Sequence, residues 1–200
     1  MRRHLVVMVK EPRPGRVKTR LGRDIGVTQA AWWFRHQSRR LLRAVDDPRW
    51  QTWLAVSPDR AGMHSRTWPL HLPRMPQGPG DLGARMARVF AALPPGPALI
   101  IGADIPGITA ARIARAFAAL GARDAVLGPA NDGGYWLIGL KRTRPAPTSF
   151  LSGVRWSTDH ALCDTLATMR GLTHSLTERL HDVDTARDLA RLPARQRQFS

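Results

Sequence analysis

Cysteine is almost missing from this chain: Cys163 stands alone among 200 residues. That excludes an internal disulfide framework and a cysteine-built zinc site. Lysine is nearly as scarce. Three of the 31 basic residues are lysines (Lys10, Lys18 and Lys141), and the rest are arginines spread along the sequence. The formal net charge of +16 points toward anionic partners. Replacement of surface lysine by arginine, as in a GC-rich coding background, gives the same count with no function attached. Long apolar runs are lacking too. No stretch approaches the roughly 18 apolar residues of a membrane span. Leu5 to Val9 is too short to serve as a secretion signal, and Lys10 ends it. A cytoplasmic protein without a membrane partner is the expectation. The histidines are scattered, with no His/Glu cluster at zinc spacing. No Gly-x-Ser-x-Gly elbow is present, which counts against an α/β-hydrolase.

What is there reads as one domain spanning 1–200, since the length suffices for a sizeable core. Hydrophobic content of 43% with 17 Gly and 16 Pro fits a turn-rich globular chain, not a disordered one. Strand and helix patterns alternate throughout, which argues for an α/β fold with a mainly parallel sheet and helices on both faces. The stretch Ala98 to Ile101 is a short apolar run bounded by prolines, and reads as a strand buried on both sides. It runs into Gly102-Ala103-Asp104-Ile105-Pro106. An acid at a strand tip lies where open α/β sheets bind ligands, so Asp104 is a candidate for a metal or a phosphate ester. The plainer reading is that Asp104 caps a backbone N–H.

The first strand, Leu5 to Val9, leads into a basic turn carrying Lys10, Gly15, Arg16, Lys18 and Arg20. Such a turn resembles an anion cradle, although it has neither Walker nor dinucleotide-turn spacing and basic loops are common in so arginine-rich a chain. A helix is expected from Thr28 to about Val45, with one of Trp32 and Trp33 in the core. Further expectations are a strand at Gln51–Val56, a loop from Asp59 to Pro69 and a short edge strand at Leu70–Leu72. In the stretch Gln77 to Met86, Asp81 fits a helix N-cap. Gly80 would let a ligand approach the backbone, and Gln77, Asp81 and Arg85 are candidates for binding it, the first two at a nucleobase edge. Thr109 opens another helix, which Gly121 would end. After a strand at Ala125–Leu127 come Asp132, Gly133, Gly134 and then Trp136 in an apolar run. The paired glycines suggest close approach of a ligand, or simply a hairpin turn. A Pro-containing loop covers 143–149, and Ser157 or Thr158 would cap a helix reaching Met169. Near the end, Asp182 and Asp184 would point to one side of an extended backbone, with one of them free to meet Asp104.

A basic loop after strand one, an acid on a central strand and a late pair of acids suggest a site for a nucleoside polyphosphate with Mg²⁺ or Mn²⁺. Met8-Val9-Lys10-Glu11-Pro12 through Lys18-Thr19-Arg20-Leu21 carries the first part of a family resemblance. Gly80 to Met86, Gly102 to Pro106 and Gly128-Pro129 through Asp132 to Gly139 carry more of it. Phe150, Val154 to Thr158, and Asp182 to Thr185 with Asp188-Leu189 complete it. Together they resemble the nucleotide-diphospho-sugar transferase-like family of glycosyltransferases associated with arsenosugar biosynthesis, also described as radical-SAM and selenodomain-associated transferases. Asn131 stands where that family more often carries an acid, and no role is placed there.

The resemblance implies the GT-A fold, shared with molybdenum-cofactor guanylyltransferase and 2-phospho-L-lactate guanylyltransferase. It also implies Asp104 and Asp184 as metal ligands. Asp132 is the candidate catalytic residue on the acceptor side, beside Gly133, Gly134 and Trp136; Asp132 or Asp182 is the alternative second metal ligand. The expected activity is glycosyl transfer from a nucleotide sugar to a small-molecule acceptor. The alternative is nucleotidyl transfer from a nucleoside triphosphate to a small phosphorylated acceptor. A non-catalytic polyanion-binding module is the remote reading, and a nucleic-acid partner is set aside.

Overall fold

The computed structural model describes residues 1–197. A single sheet has the strand order β3-β2-β1-β4-β6-β5-β7. Its strands are β1 (His4–Lys10), β2 (Gln51–Ser57), β3 (Arg74–Pro76), β4 (Ala98–Gly102), β5 (Ala125–Pro129), β6 (Tyr135–Leu140) and β7 (His174–Leu176). Every neighbouring pair is parallel except those made by β6, which runs antiparallel to both β4 and β5. The sheet is therefore mainly parallel, as the alternating pattern predicts, with one reversed strand. The reversal comes from a hairpin: β5 turns through residues 130–134 into β6, and Ala130 N–H donates to Gly134 O.

Alternation along the buried strands divides the core into two clusters, one on each face. Leu5, Val7, Val9, Leu99 and Ile101 join the cluster under α1 (Thr19–Ile25), α2 (Val27–Ala44) and α5 (Ala110–Ala122). Val6, Ala98, Ile100 and Ile138 join the other, with Met86, Val89 and Phe90 of α4 (Leu82–Ala92). The remaining helices are α3 (Asp59–Met63), α6 (Ala161–Thr168), α7 (Ala186–Ala190) and α8 (Ala194–Arg197). Asp81 and Thr109 cap α4 and α5 by accepting from Ala84 N–H and Arg112 N–H, as their positions before apolar helices suggest. Trp33 is buried, while Trp32 is 53% exposed.

Several elements depart from the sequence reading. The edge strand is Arg74–Pro76, not Leu70–Leu72; Leu70 is 87% exposed in a turn between Pro69 and Pro73. The segment 59–69 contains α3, and Gly121 lies inside α5, one residue short of its end. His160, not Ser157 or Thr158, precedes α6.

The parallel strands β1, β4 and β5 all end at one rim of the sheet, and the β5–β6 turn lies there too. Chain connectivity switches direction between β1 and β4, since β2 and β3 lie to one side and β4 to the other. Open α/β sheets hold their crevice at such a point. A bridge between Ala130 and Leu180 carries the β5–β7 pairing on toward Asp182 and Asp184, at the same rim.

Candidate active site

Lys18 sits at the centre of this rim. It has φ 46° and ψ 48°, a left-handed conformation unusual for a side-chain-bearing residue. From that backbone, between the basic turn and α1, its ammonium group reaches Asp104 Oδ2 at 2.8 Å and Asp184 Oδ1 at 2.9 Å. The Lys18 side chain is only 6% exposed. Burial acts to lower its pKa, but the two carboxylates outweigh that and hold it above the ordinary lysine value. Arg20 is more exposed and takes the other Asp184 oxygen, Oδ2, at 3.2 Å.

Asp184 is free to meet Lys18 because it does not cap the following helix. Thr185 does, in a capping box with Asp188, and the Asp188 carboxylate also accepts from the Asp184 N–H. Asp24, from α1, accepts from the Ala186 N–H and ties this late segment to the helix that follows Lys18.

Two adjoining cavities meet at Lys18, Leu82, Asp104 and Tyr135, with very different linings. The first, about 320 Å³, is lined by Lys10, Arg16, Gln77 and apolar groups including Met8 and Met86. The second, about 260 Å³, is lined by Asp132, Asp182, Asp184, Trp156, Ser157 and Thr158. Lys18 is the one cation among its lining residues. Asp182 has its pKa raised by burial first, and then by repulsion from Asp132 and Asp184. Asp132 Oδ1 accepts from the Gly134 N–H at 2.9 Å, which orients the carboxyl group across the hairpin turn.

Of the residues singled out from sequence, Lys10, Arg16, Lys18, Gln77, Asp104, Asp132, Gly134 and Asp184 line these cavities. Gln77 is 3% exposed, and its amide nitrogen donates to Val9 O and Ala55 O. Only its Oε1 remains to meet a ligand, as an acceptor. Gly80, Asp81 and Arg85 lie outside both linings. Asp81 caps α4, and Arg85 Nε donates to Gly80 O. Gly15 lies outside as well, and Arg20 touches the site only through Asp184.

Two further readings need correction. Gly133 (φ 83°) opens no ligand space: a Cβ there would collide with the Asp159 backbone, 2.3 Å away. Trp136 is a buried core residue whose indole N–H donates to Glu178 O, although its edge contributes to the basic cavity. The ring beside the acidic cavity is Trp156. Gly133 O also accepts from the Leu162 N–H, so the hairpin turn draws residues 156–161 over the site. That long-range contact has no local signal beyond the Trp156-Ser157-Thr158 triplet itself.

A larger cavity, about 550 Å³, lies at the opposite rim beneath the loop after β6. Its cations are engaged in architecture. Lys141 donates to Gly121 O, Arg142 to Leu93 O, Pro94 O and Gly96 O, and Arg144 to Gly171 O and Asp124.

Among the described residues no group of three or more His, Cys, Asp or Glu is placed to hold a metal ion. Asp104 and Asp184 nevertheless converge on one cation, with hard oxygen donors. Such a pair fits Mg²⁺ or Mn²⁺, which take one or two carboxylates and complete their shell with phosphate oxygens and water. None of the described helices is long and apolar enough to cross a membrane.

Comparison with solved structures identifies the architecture. A protein from Desulfovibrio desulfuricans G20 assigned as a nucleotide-diphospho-sugar transferase superposes with a TM-score of 0.84 at 29% identity, over 94% of this chain and 85% of that one. Rv0371c from Mycobacterium tuberculosis H37Rv, solved in complex with manganese, superposes at 0.58 with 17% identity, over 96% and 98% of the two chains. The inositol-1-phosphate CTP transferase from T. maritima superposes at 0.55 with 9% identity, over 99% and 94%. The last two establish the fold alone. No curated protein matches the chain. The sequence profile of the family described as "Uncharacterized protein conserved in bacteria (DUF2064)" matches residues 41–158. The fold is the α/β fold of the GT-A and nucleotidyltransferase class, with a mixed sheet flanked by helices.

Proposed function

This chain belongs to the DUF2064 family, and we propose that it is a metal-assisted nucleotidyltransferase joining a nucleoside monophosphate to a small acceptor. The observation that carries the reading is the junction at Lys18 and Asp104, with a basic cavity on one side and a small acidic one on the other. A triphosphate bound over Lys10, Arg16 and Lys18 would present its α-phosphorus at that junction. The acidic cavity, at about 260 Å³, suits one small acceptor better than a donor sugar and an acceptor together. The fold is one that a CTP transferase also uses, which gives the reading a precedent without deciding it.

Asp104 and Asp184 would hold the divalent cation on the donor phosphates. The cation, when bound, supplies Lewis-acid stabilisation of charge at the phosphorus under attack. This chain's own groups do the rest. Lys18 and Arg16 neutralise charge developing on the departing pyrophosphate. An acceptor oxygen attacks the α-phosphorus; the new O–P bond forms as the bond to the β-phosphate oxygen breaks. Asp132 Oδ2 takes the proton of an acceptor hydroxyl, Oδ1 being held by Gly134.

Glycosyl transfer is the second reading. It rests on the arsenosugar-associated resemblance and on the sugar-nucleotide assignment of the relative at 29% identity. A thermal-shift screen of nucleoside triphosphates and nucleotide sugars with Mg²⁺ or Mn²⁺ separates the two. Selective binding of a triphosphate with pyrophosphate release supports nucleotidyl transfer. Binding of a nucleotide sugar with nucleoside diphosphate release transfers the assignment to glycosyl transfer. Once the donor is known, Asp132→Asn should lower turnover at least ten-fold while sparing donor affinity. Collapse of donor affinity instead would move Asp132 to the metal.

A further inference from the structure

Resting on the reading of Asp104 and Asp184 as metal ligands, we infer that Lys18 is a tethered stand-in for the metal. It takes the ion's place between the carboxylates when no ion is bound, so that metal and donor phosphates each favour the other's binding. The geometry places its ammonium between the two carboxylates that would hold the ion, at 2.8 and 2.9 Å. These acids come from distant elements: Asp104 follows β4, and Asp184 precedes α7. With Asp132 and Asp182 in the same cavity, four carboxylates share a small volume, and one buried monocation sits among them. Lys18 thus supplies between these carboxylates the charge balance that a bound divalent ion would supply.

A divalent ion and the ammonium group compete for the same two oxygens. If the ion enters alone, Lys18 is left as a buried, unpaired cation, which is costly. If phosphates are present in the basic cavity, Lys18 has a new partner without crossing the protein, because its side chain lines both cavities. Arg20 remains on Asp184 Oδ2 and preserves the position of that carboxylate during the exchange. The two ligands therefore each favour the other's binding, and the coupling is reciprocal.

The test is titration of the full chain with Mn²⁺ alone, free ion being followed by electron paramagnetic resonance. Lys18→Gln keeps a polar side chain, one atom shorter, but removes the charge. It should bind Mn²⁺ at least about ten-fold tighter than the parent chain, and adding Asp104→Asn should cancel the gain. Lys18→Arg keeps a cation there and should retain the weak binding. Should Lys18→Gln fold only with metal, recovery of its melting transition by Mn²⁺, and not in the Asp104→Asn double variant, supports the same exchange. Equal Mn²⁺ affinity in the parent chain and in Lys18→Gln overturns it.

Binding of CTP, GTP, ATP and UTP with Mn²⁺, followed by tryptophan fluorescence of the parent chain, separates this inference from the proposed function. A triphosphate that binds while Lys18→Gln shows no gain removes the stand-in alone. A gain in Lys18→Gln with no triphosphate bound removes the nucleotidyl reading and leaves a cation site. Neither gain nor binding removes both.

Discussion

The two rims of the sheet both gather cations, and they use them differently. At the rim beyond β6, Arg142 donates to three backbone carbonyls, Lys141 to one, and Arg144 to a carbonyl and Asp124. Those charges finish the backbone hydrogen bonding of loops that the sheet leaves open. At the rim of β1 and β4, Lys18 meets two carboxylates, and two more carboxylates stand close by without a cation among the cavity's other lining residues. Size alone would point away from the proposed site, since the cavity beyond β6 is the larger, at about 550 Å³ against about 260 and 320 Å³. Two carboxylates without a cation of their own, and an Asp182 pKa raised by burial and by its acidic neighbours, make the other rim the candidate site.

Exchanging the damage between rims should break this contrast if it is wrong. The largest effect is expected from Asp104→Ala, which should lower metal-dependent nucleotide affinity by at least about 100-fold by calorimetry. Its melting temperature should change little. Arg142→Ala should do the reverse. It leaves the carbonyls of Leu93, Pro94 and Gly96 without their donor, at a cost of about 2 kcal/mol. For a chain of this size that is a fall of roughly 4–8 °C in melting temperature, with nucleotide affinity unchanged. Loss of nucleotide binding in Arg142→Ala would erase the distinction between the rims.

The smallest effect sharpens the comparison most. The folded pKa of Asp182 is raised, so the stability linked to its protonated form is present at low pH. It is lost as pH rises from the ordinary carboxylate range through the raised value. Above that window the charged Asp182 opposes folding. Asp182→Asn should therefore raise the melting temperature of the metal-free protein at neutral pH, by roughly 1–2 °C after allowance for solvent screening. The gain should vanish near pH 3, where both forms are neutral at that position. A lower melting temperature at neutral pH would mean that the repulsion is already relieved.

Legibility followed the range of the interactions. The strands β1 and β4 were readable as short apolar runs, and Asp81 and Thr109 as caps, because both signals are local. The direction of β6 was left open: the paired glycines allowed the hairpin that is found, but the continuous apolar run Tyr135–Leu140 itself carries no mark of which way it pairs. Helix α1 was hidden because it starts from Lys18 with no side-chain cap. The acids Asp104, Asp132 and Asp184 could be nominated from strand tips and turns, but the meeting of Asp104 and Asp184 on Lys18 depends on pairings far apart in sequence. Glycines misled where their cause was packing. Gly133 reads as room for a ligand, yet a Cβ there would strike the Asp159 backbone.

The reversed strand β6 has a consequence for the order in which the molecule assembles. Its pairing with β5 closes only a short turn, whereas β1 pairs with β4 from His4 to Ala98, across nearly half the chain. Short antiparallel closures form within microseconds, and distant parallel ones are slow. Asp132 belongs to the early closure. Lys18 and Asp104 are brought together only by the late one. Recovery of ligand binding during refolding is therefore a clock for the last topological step, and it should lag behind the appearance of hairpin structure.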